Sequence, residues 1–264
     1  MKSQIIIYIL LIFSINKLCC QDCYSDETIK YSNKNFSDLW LIDYNYNGTI
    51  GNENKRIEIH ITKVEKINDT KYLIIGKSRT GKNINDFSGY MKINEIGILN
   101  QNTDCEGPDY PYSRISCEYS FNEDANQKYS GKFIGKLTTY TFDKYFHPEK
   151  YSSNSLDSGF YKNSEFIGVW KSYSKDYSKY CSWSNFTPHP SKKNDLFKYN
   201  ENETYFFNLK YLNKGWKSYV INSQIRVLKD FYSKKPSVYS SDFIEFSKID
   251  KKISDKIENF KWWK

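Results

Sequence analysis

From Tyr44 to Tyr173 polar and apolar side chains repeatedly alternate every second residue, and no helical period of comparable quality interrupts the stretch. In Arg56-Ile57-Glu58-Ile59-His60-Ile61 the isoleucines fall on one face of an extended chain and the polar residues on the other. Tyr44–Ile50, Lys71–Ser78, Phe87–Ile93, Ile115–Phe121, Gly131–Phe142 and Phe166–Tyr173 read in the same way, separated by Asn, Asp, Gly and Pro clusters that reverse the chain. Strands that follow one another without helices predict a mainly β fold. The expected architecture is an antiparallel up-and-down meander closing into a barrel or a strongly curved sheet.

A second pattern lies within the first. An aromatic residue precedes a glycine by two at Tyr46/Gly48, Phe87/Gly89, Tyr129/Gly131, Phe133/Gly135 and Phe166/Gly168. Residues i and i+2 of a strand share a face, so each ring can cover the bare backbone of a glycine placed where the sheet bends. These pairs read as barrel corners.

Aromatic residues make up 18% of the 264-residue chain, which sets it apart from disordered polymers despite a mean hydropathy of −0.74. Met1-Lys2 followed by the apolar run Ile5–Phe13 reads as a signal peptide, cut after Cys20 to leave Gln21 first. Lipoprotein processing at Cys19 or Cys20 is the alternative, and Asn16-Lys17-Leu18 suits it poorly. The chain is thus expected to be exported, periplasmic or secreted, with lipid anchoring at the outer membrane as the second reading. No later apolar run is long enough for a spanning helix. Removing residues 1–20 takes two of the 39 basic residues and none of the 31 acidic ones, so 37 against 31 leaves an excess of +6. The lysines form no concentrated stripe, and no nucleic-acid partner is expected.

Residues 1–20 as signal, 21–35 as an N-terminal tail, 36–181 as the barrel-like domain and 182–264 as a mixed extension is the expected organisation. In the extension, Tyr205–Tyr211 and Trp216–Ile221 predict a hairpin turning at Asn213-Lys214-Gly215. Phe246, Ile249, Ile253, Ile257 and Phe260 form the stripe of a terminal amphipathic helix, expected to pack on the barrel. Cys23, Cys105, Cys117 and Cys181 remain after the signal, and two disulfides are expected, Cys105 with Cys117 and Cys23 with Cys181. Sequons stand at Asn35, Asn47, Asn68, Asn185 and Asn202 and carry glycans only in a eukaryotic secretory pathway.

Motifs of chemistry are scarce. His60 lies on the polar side of its strand and reads as a solvated imidazole; Cys181 with His189 is one spacing, not a zinc signature. Gly76-Lys77-Ser78 imitates the end of a phosphate loop, but Lys71 stands where the first glycine belongs. Neither G-x-S-x-G nor H-E-x-x-H occurs. No enzymatic activity, cofactor or metal is expected. Short meandering strands with Gly168-Val169-Trp170 on one of them resemble the lipocalin-like (calycin) barrels of exported proteins, whose G-x-W sits on the first strand. The signal ending at Gln21 and the Lys/Asn/Tyr-rich strands are similar to uncharacterised exported proteins of Bacteroidetes-type bacteria. The resemblance implies a barrel able to hold a small apolar or amphipathic molecule. Trp40, Tyr46, Phe133 and Trp170 are the candidate liners, and a surface interaction module with a filled core, or a hydrolase without a recognisable motif, are the alternatives.

Overall fold

The computed structural model describes residues 24–99, 113–141, 146, 162–185, 196–199, 205–223 and 251–264. A short strand β1 (Tyr24–Asp26) and two single-turn helices, α1 (Thr28–Tyr31) and α2 (Ser37–Trp40), lead into the meander. There follow β2 (Tyr46–Ile50), β3 (Lys55–Lys66), β4 (Lys71–Thr80), β5 (Asn83–Leu99), β6 (Ser113–Glu123), β7 (Gly131–Thr141), β8 (Lys162–Ser172) and β9 (Ser178–Ser184). Each of these pairs antiparallel with its neighbour in sequence, and β2 pairs with β9, Gly48 opposite Trp183, to close the ring. The expected meander is therefore a closed eight-stranded barrel, with β1 added beside the end of β5. The closing strand runs to Ser184, slightly past the expected boundary at 181.

An eight-stranded barrel has an interior just wide enough for side chains to fill. Period two delivers them: Ile57, Ile59 and Ile61 from β3, and Cys117, Tyr119 and Phe121 from β6, all point inward and are buried. Phe166 stacks on Trp183 with centroids 5.3 Å apart, and Phe121 stacks on Tyr119 at 4.9 Å. Of the aromatic–glycine pairs, the strand glycines do mark close approaches. Gly135 and Gly168 face each other across β7 and β8, and a Cβ on Gly135 would lie 2.1 Å from the Ile167 carbonyl oxygen. Tyr129/Gly131 is the exception, because Tyr129 is in the turn between β6 and β7 with φ +57° and its ring is exposed.

One end of the barrel is shut. Phe36, Leu39 and Trp40 of the α2 region are fully buried there, where the Trp40 indole N–H donates to Thr139 Oγ1 at 2.9 Å and the Tyr46 hydroxyl to the Trp40 carbonyl at 2.8 Å. The Lys66 ammonium holds the preceding loop by donating to the carbonyls of Ser32, Asn33 and Lys34 at 2.6–2.9 Å.

The C-terminal extension corrects two expectations. Its hairpin is earlier, β10 (Phe197–Tyr199) with β11 (Tyr205–Phe207), and Asn213-Lys214-Gly215 instead joins a 3₁₀ helix (Leu209–Lys214) to α3 (Lys217–Ser223). Gly215, at φ +94°, caps a helix end there, a task glycine performs as readily as turning a hairpin. The terminal helix α4 (Lys251–Glu258) forms, but Ile253, Ile257 and Phe260 are 56%, 46% and 63% exposed. It packs instead through Ser254 and Glu258. Phe246 and Ile249 lie outside the described residues.

The reason is on the outer face of β3. Arg56 donates to both Glu258 carboxylate oxygens, at 2.8 and 2.6 Å, while Arg79 makes a bidentate pair with Glu58 at 2.6–2.7 Å and lies over the Trp262 ring. His60 is not solvated: it is 6% exposed and stacks on Trp263 at 3.9 Å, and burial holds its pKa below the ordinary value. Cys117 and Cys181 are buried free thiols on inward positions; Cys23 and Cys105, the other halves of the expected bridges, lie outside the described residues. Among the described residues no helix is long and apolar enough to cross a membrane.

Candidate functional site

At the end opposite the plug the described residues leave the barrel open. Here β2, β4, β6 and β8 finish and β3, β5, β7 and β9 begin, and every one of these strands contributes to a cup of about 560 Å³. The deep part is built from the last inward positions: Ser78 of β4, Asn85 of β5, Glu123 of β6, Phe133 of β7 and Trp170 of β8. Ile50, Thr80 and Asn83 continue the wall, and Lys55, Lys82, Lys179, Tyr129 and Tyr177 form the rim.

Glu123 organises the floor. It is the residue at which the inward ladder of β6 changes from rings to a charge, and it is 5% exposed. Its Oε2 accepts from the Gly131 amide at 2.8 Å and from the Trp170 indole N–H at 2.9 Å, and its Oε1 accepts from the Ser78 hydroxyl. A buried carboxylate needs such donors. Burial pushes the carboxyl above its ordinary pKa, and the Ser78, Trp170 and Gly131 hydrogen bonds pull the other way without cancelling it. Gly131 is required at its position: a Cβ there would sit 2.5 Å from Trp170 Cε2, displacing the indole from the carboxylate.

The rim is asymmetric. Going round the ring from β5 through β4, β3 and β2 to β9, Lys82, Lys55 and Lys179 project from one arc. Tyr177, Trp170, Phe133 and Tyr129 form the other, from the β8–β9 turn to the β6–β7 turn. Lys179 joins the two, with its ammonium 5.4 Å from the Tyr177 ring centroid and 5.9 Å from that of Trp170.

Of the four residues expected to line a ligand site, Phe133 and Trp170 are opposite each other in register and line the cup. Trp40 and Tyr46 are packed in the closed half, hydrogen-bonded to each other. The sequence reading passed over Glu123, Ser78, Asn85 and the rim lysines. The signal for Glu123 was present: it continues the two-residue step Cys117, Tyr119, Phe121 on the apolar face of its strand. Compared with known proteins, the chain matches no family model, no curated protein and no solved structure.

Proposed function

We propose that this chain is an exported, non-enzymatic β-barrel protein of lipocalin-like build that binds a small amphipathic molecule in the cup. The observation that carries the reading is the contrast between the two ends of one barrel. The plugged end and the middle are filled by rings, whereas the open end keeps a concave space of about 560 Å³ with aromatic and polar groups convergent on it. Rings fill the middle, so the ligand sits at the mouth with both faces of its chemistry addressed. Glu123, the one carboxylate lining the cup among the described residues, has its oxygens engaged by Ser78, Gly131 and Trp170, a structural role rather than that of a free general base.

The filled middle also favours a second reading, a surface module with no ligand. Native mass spectrometry of protein purified from its source separates the two. A co-purifying small molecule is expected on the wild type and absent from Thr80→Trp, whose indole fills the cup from β4. The same adduct on both proteins would place the ligand elsewhere, and none on either would favour the ligand-free module.

A further inference from the structure

We infer that the ligand of the cup is a small organic anion with a flat aromatic body, its acidic group held by Lys55, Lys82 and Lys179 and its body laid against Trp170, Tyr177 and Tyr129. The inference rests on the cup being a ligand site and names the chemistry that site selects.

Three observations carry it. The charges that face the cup do not balance. Three lysines line it against one carboxylate, so even with Glu123 ionised the described lining keeps a net positive charge. Glu53, in the β2–β3 turn, does not line the cup; it is paired with Lys214 at 2.7 Å and also feels the charges of Lys179 and Lys55. Lys77, a basic neighbour on β4, lies outside the cup and is paired with Asp86 at 2.8 Å. Lysine ammonium groups at a partly enclosed mouth thus present a focused positive field.

The second observation is the separation of the arcs. Lysines occupy the β3, β9 and β4–β5 side, rings the β6–β7 and β8–β9 side. A ligand charged throughout would leave the rings uncovered, and one apolar throughout would strip water from the ammonium groups without replacing it. A flat anion satisfies both arcs in one orientation.

The third is the conformation of Tyr129. A bulky side chain at φ +57° is costly, and the same turn would be made more easily by glycine or asparagine. The backbone is held there from both sides, by Asn85 donating to the Tyr129 carbonyl at 3.4 Å and by Gln127 accepting from the Asp86 amide at 2.8 Å. The result is a ring 68% exposed at the lip of the cup, where it is available to a guest.

The test compares two fluorescent probes that share one ring system, 1-anilinonaphthalene-8-sulfonate and its uncharged counterpart N-phenyl-1-naphthylamine. Titrated into the full chain at low salt, the sulfonate is expected to bind about tenfold more tightly, with the advantage shrinking in about 1 M salt as screening sets in. The double variant Lys55→Gln/Lys82→Gln, altered only at exposed side chains, should reduce sulfonate affinity toward that of the neutral probe and weaken the neutral probe far less. Thr80→Trp should weaken both probes, which locates them in the cup and not on the exposed Ile253/Ile257/Phe260 stripe. Equal affinity of the two probes for the wild type, with both lost in Thr80→Trp, overturns the anion and leaves the cup standing. Binding indifferent to Thr80→Trp, or no binding of either probe, overturns the cup as well.

Discussion

At the scale of single residues, Tyr129 separates stability from binding. Left-handed backbone costs a non-glycine residue about 1–2 kcal/mol, and the entropy of a new glycine returns part of that to the unfolded chain. Tyr129→Gly should therefore gain up to about 1 kcal/mol in urea melts while weakening the aromatic sulfonate probe. Loss of both stability and binding would show the ring to be structural. The sequons divide on equally local grounds. Asn35 and Asn68 are exposed near the plugged end and use Oδ1, not Nδ2, to cap their own turns. Asn47 receives the Arg56 guanidinium, and Asn185 is buried against the Ser164 amide at 2.7 Å. Folded protein secreted from a eukaryotic host should carry glycans at Asn35 and Asn68 and none at Asn47 or Asn185, as glycopeptide mapping would show. The Cys117 and Cys181 thiols, pushed far above the usual thiol pKa by burial, should resist iodoacetamide in the native protein. In denaturant without reductant both should be alkylated; protection there would reveal a disulfide.

At the scale of elements, α4 is held by a polar clamp where a greasy stripe was expected. Arg56 is 5% exposed and lies between Asn47, Glu58 and Glu258, with its guanidinium over Tyr219 and Trp216. Removing one partner from a buried ion pair leaves the rest desolvated and unpaired, so Arg56→Met should cost about 3 kcal/mol and free the C-terminal segment to protease. Burial alone would raise the Glu258 carboxyl, but the Arg56 hydrogen bonds and charge, with Ser218, take it below its ordinary value. Its contribution is then fully present above the unfolded pKa of about 4.3 and is lost as pH falls through the lower folded value. Acid should release Trp262 and Trp263, red-shifting their fluorescence, and Glu258→Gln should weaken the neutral state and flatten that acid limb. This clamp shows where sequence patterning stops being informative. Arg56, Glu58 and His60 occupy the polar face of an alternating strand, and alternation says which face a residue is on but not whether another segment will cover it. Phe197, Phe207, Trp216 and Val220 form the small core that lays the extension over that face, and nothing in the spacing of β3 announces it.

At the scale of the whole molecule, the barrel was legible and the cup only partly so. Strand faces follow from two-residue steps, so the meander and its inward rings could be read along the chain. The cup draws one or two residues from each of eight strands and others from the turns between them, and their convergence exists only once β2 meets β9. Trp40 illustrates the same limit: as a ring near a barrel it suggests a lining residue, yet it is the stopper. Trp40→Ala should cost about 3–5 kcal/mol in thermal or urea unfolding, the range for emptying a fully buried large side chain. The ring closure has a further consequence, for the order of assembly. Within the barrel every ladder but one joins strands adjacent in the chain, so the ribbon from β2 to β9 can zip up hairpin by hairpin at little loop entropy. The exception, β2 on β9, spans four residue pairs where β7 on β8 spans eleven. That seam must form last and open first: amide exchange should be faster in Asn47–Ile50 and Cys181–Ser184 than across β7 and β8, and a destabilised barrel should unroll there into a sheet with two bare edges, the form most prone to pair with another copy of itself.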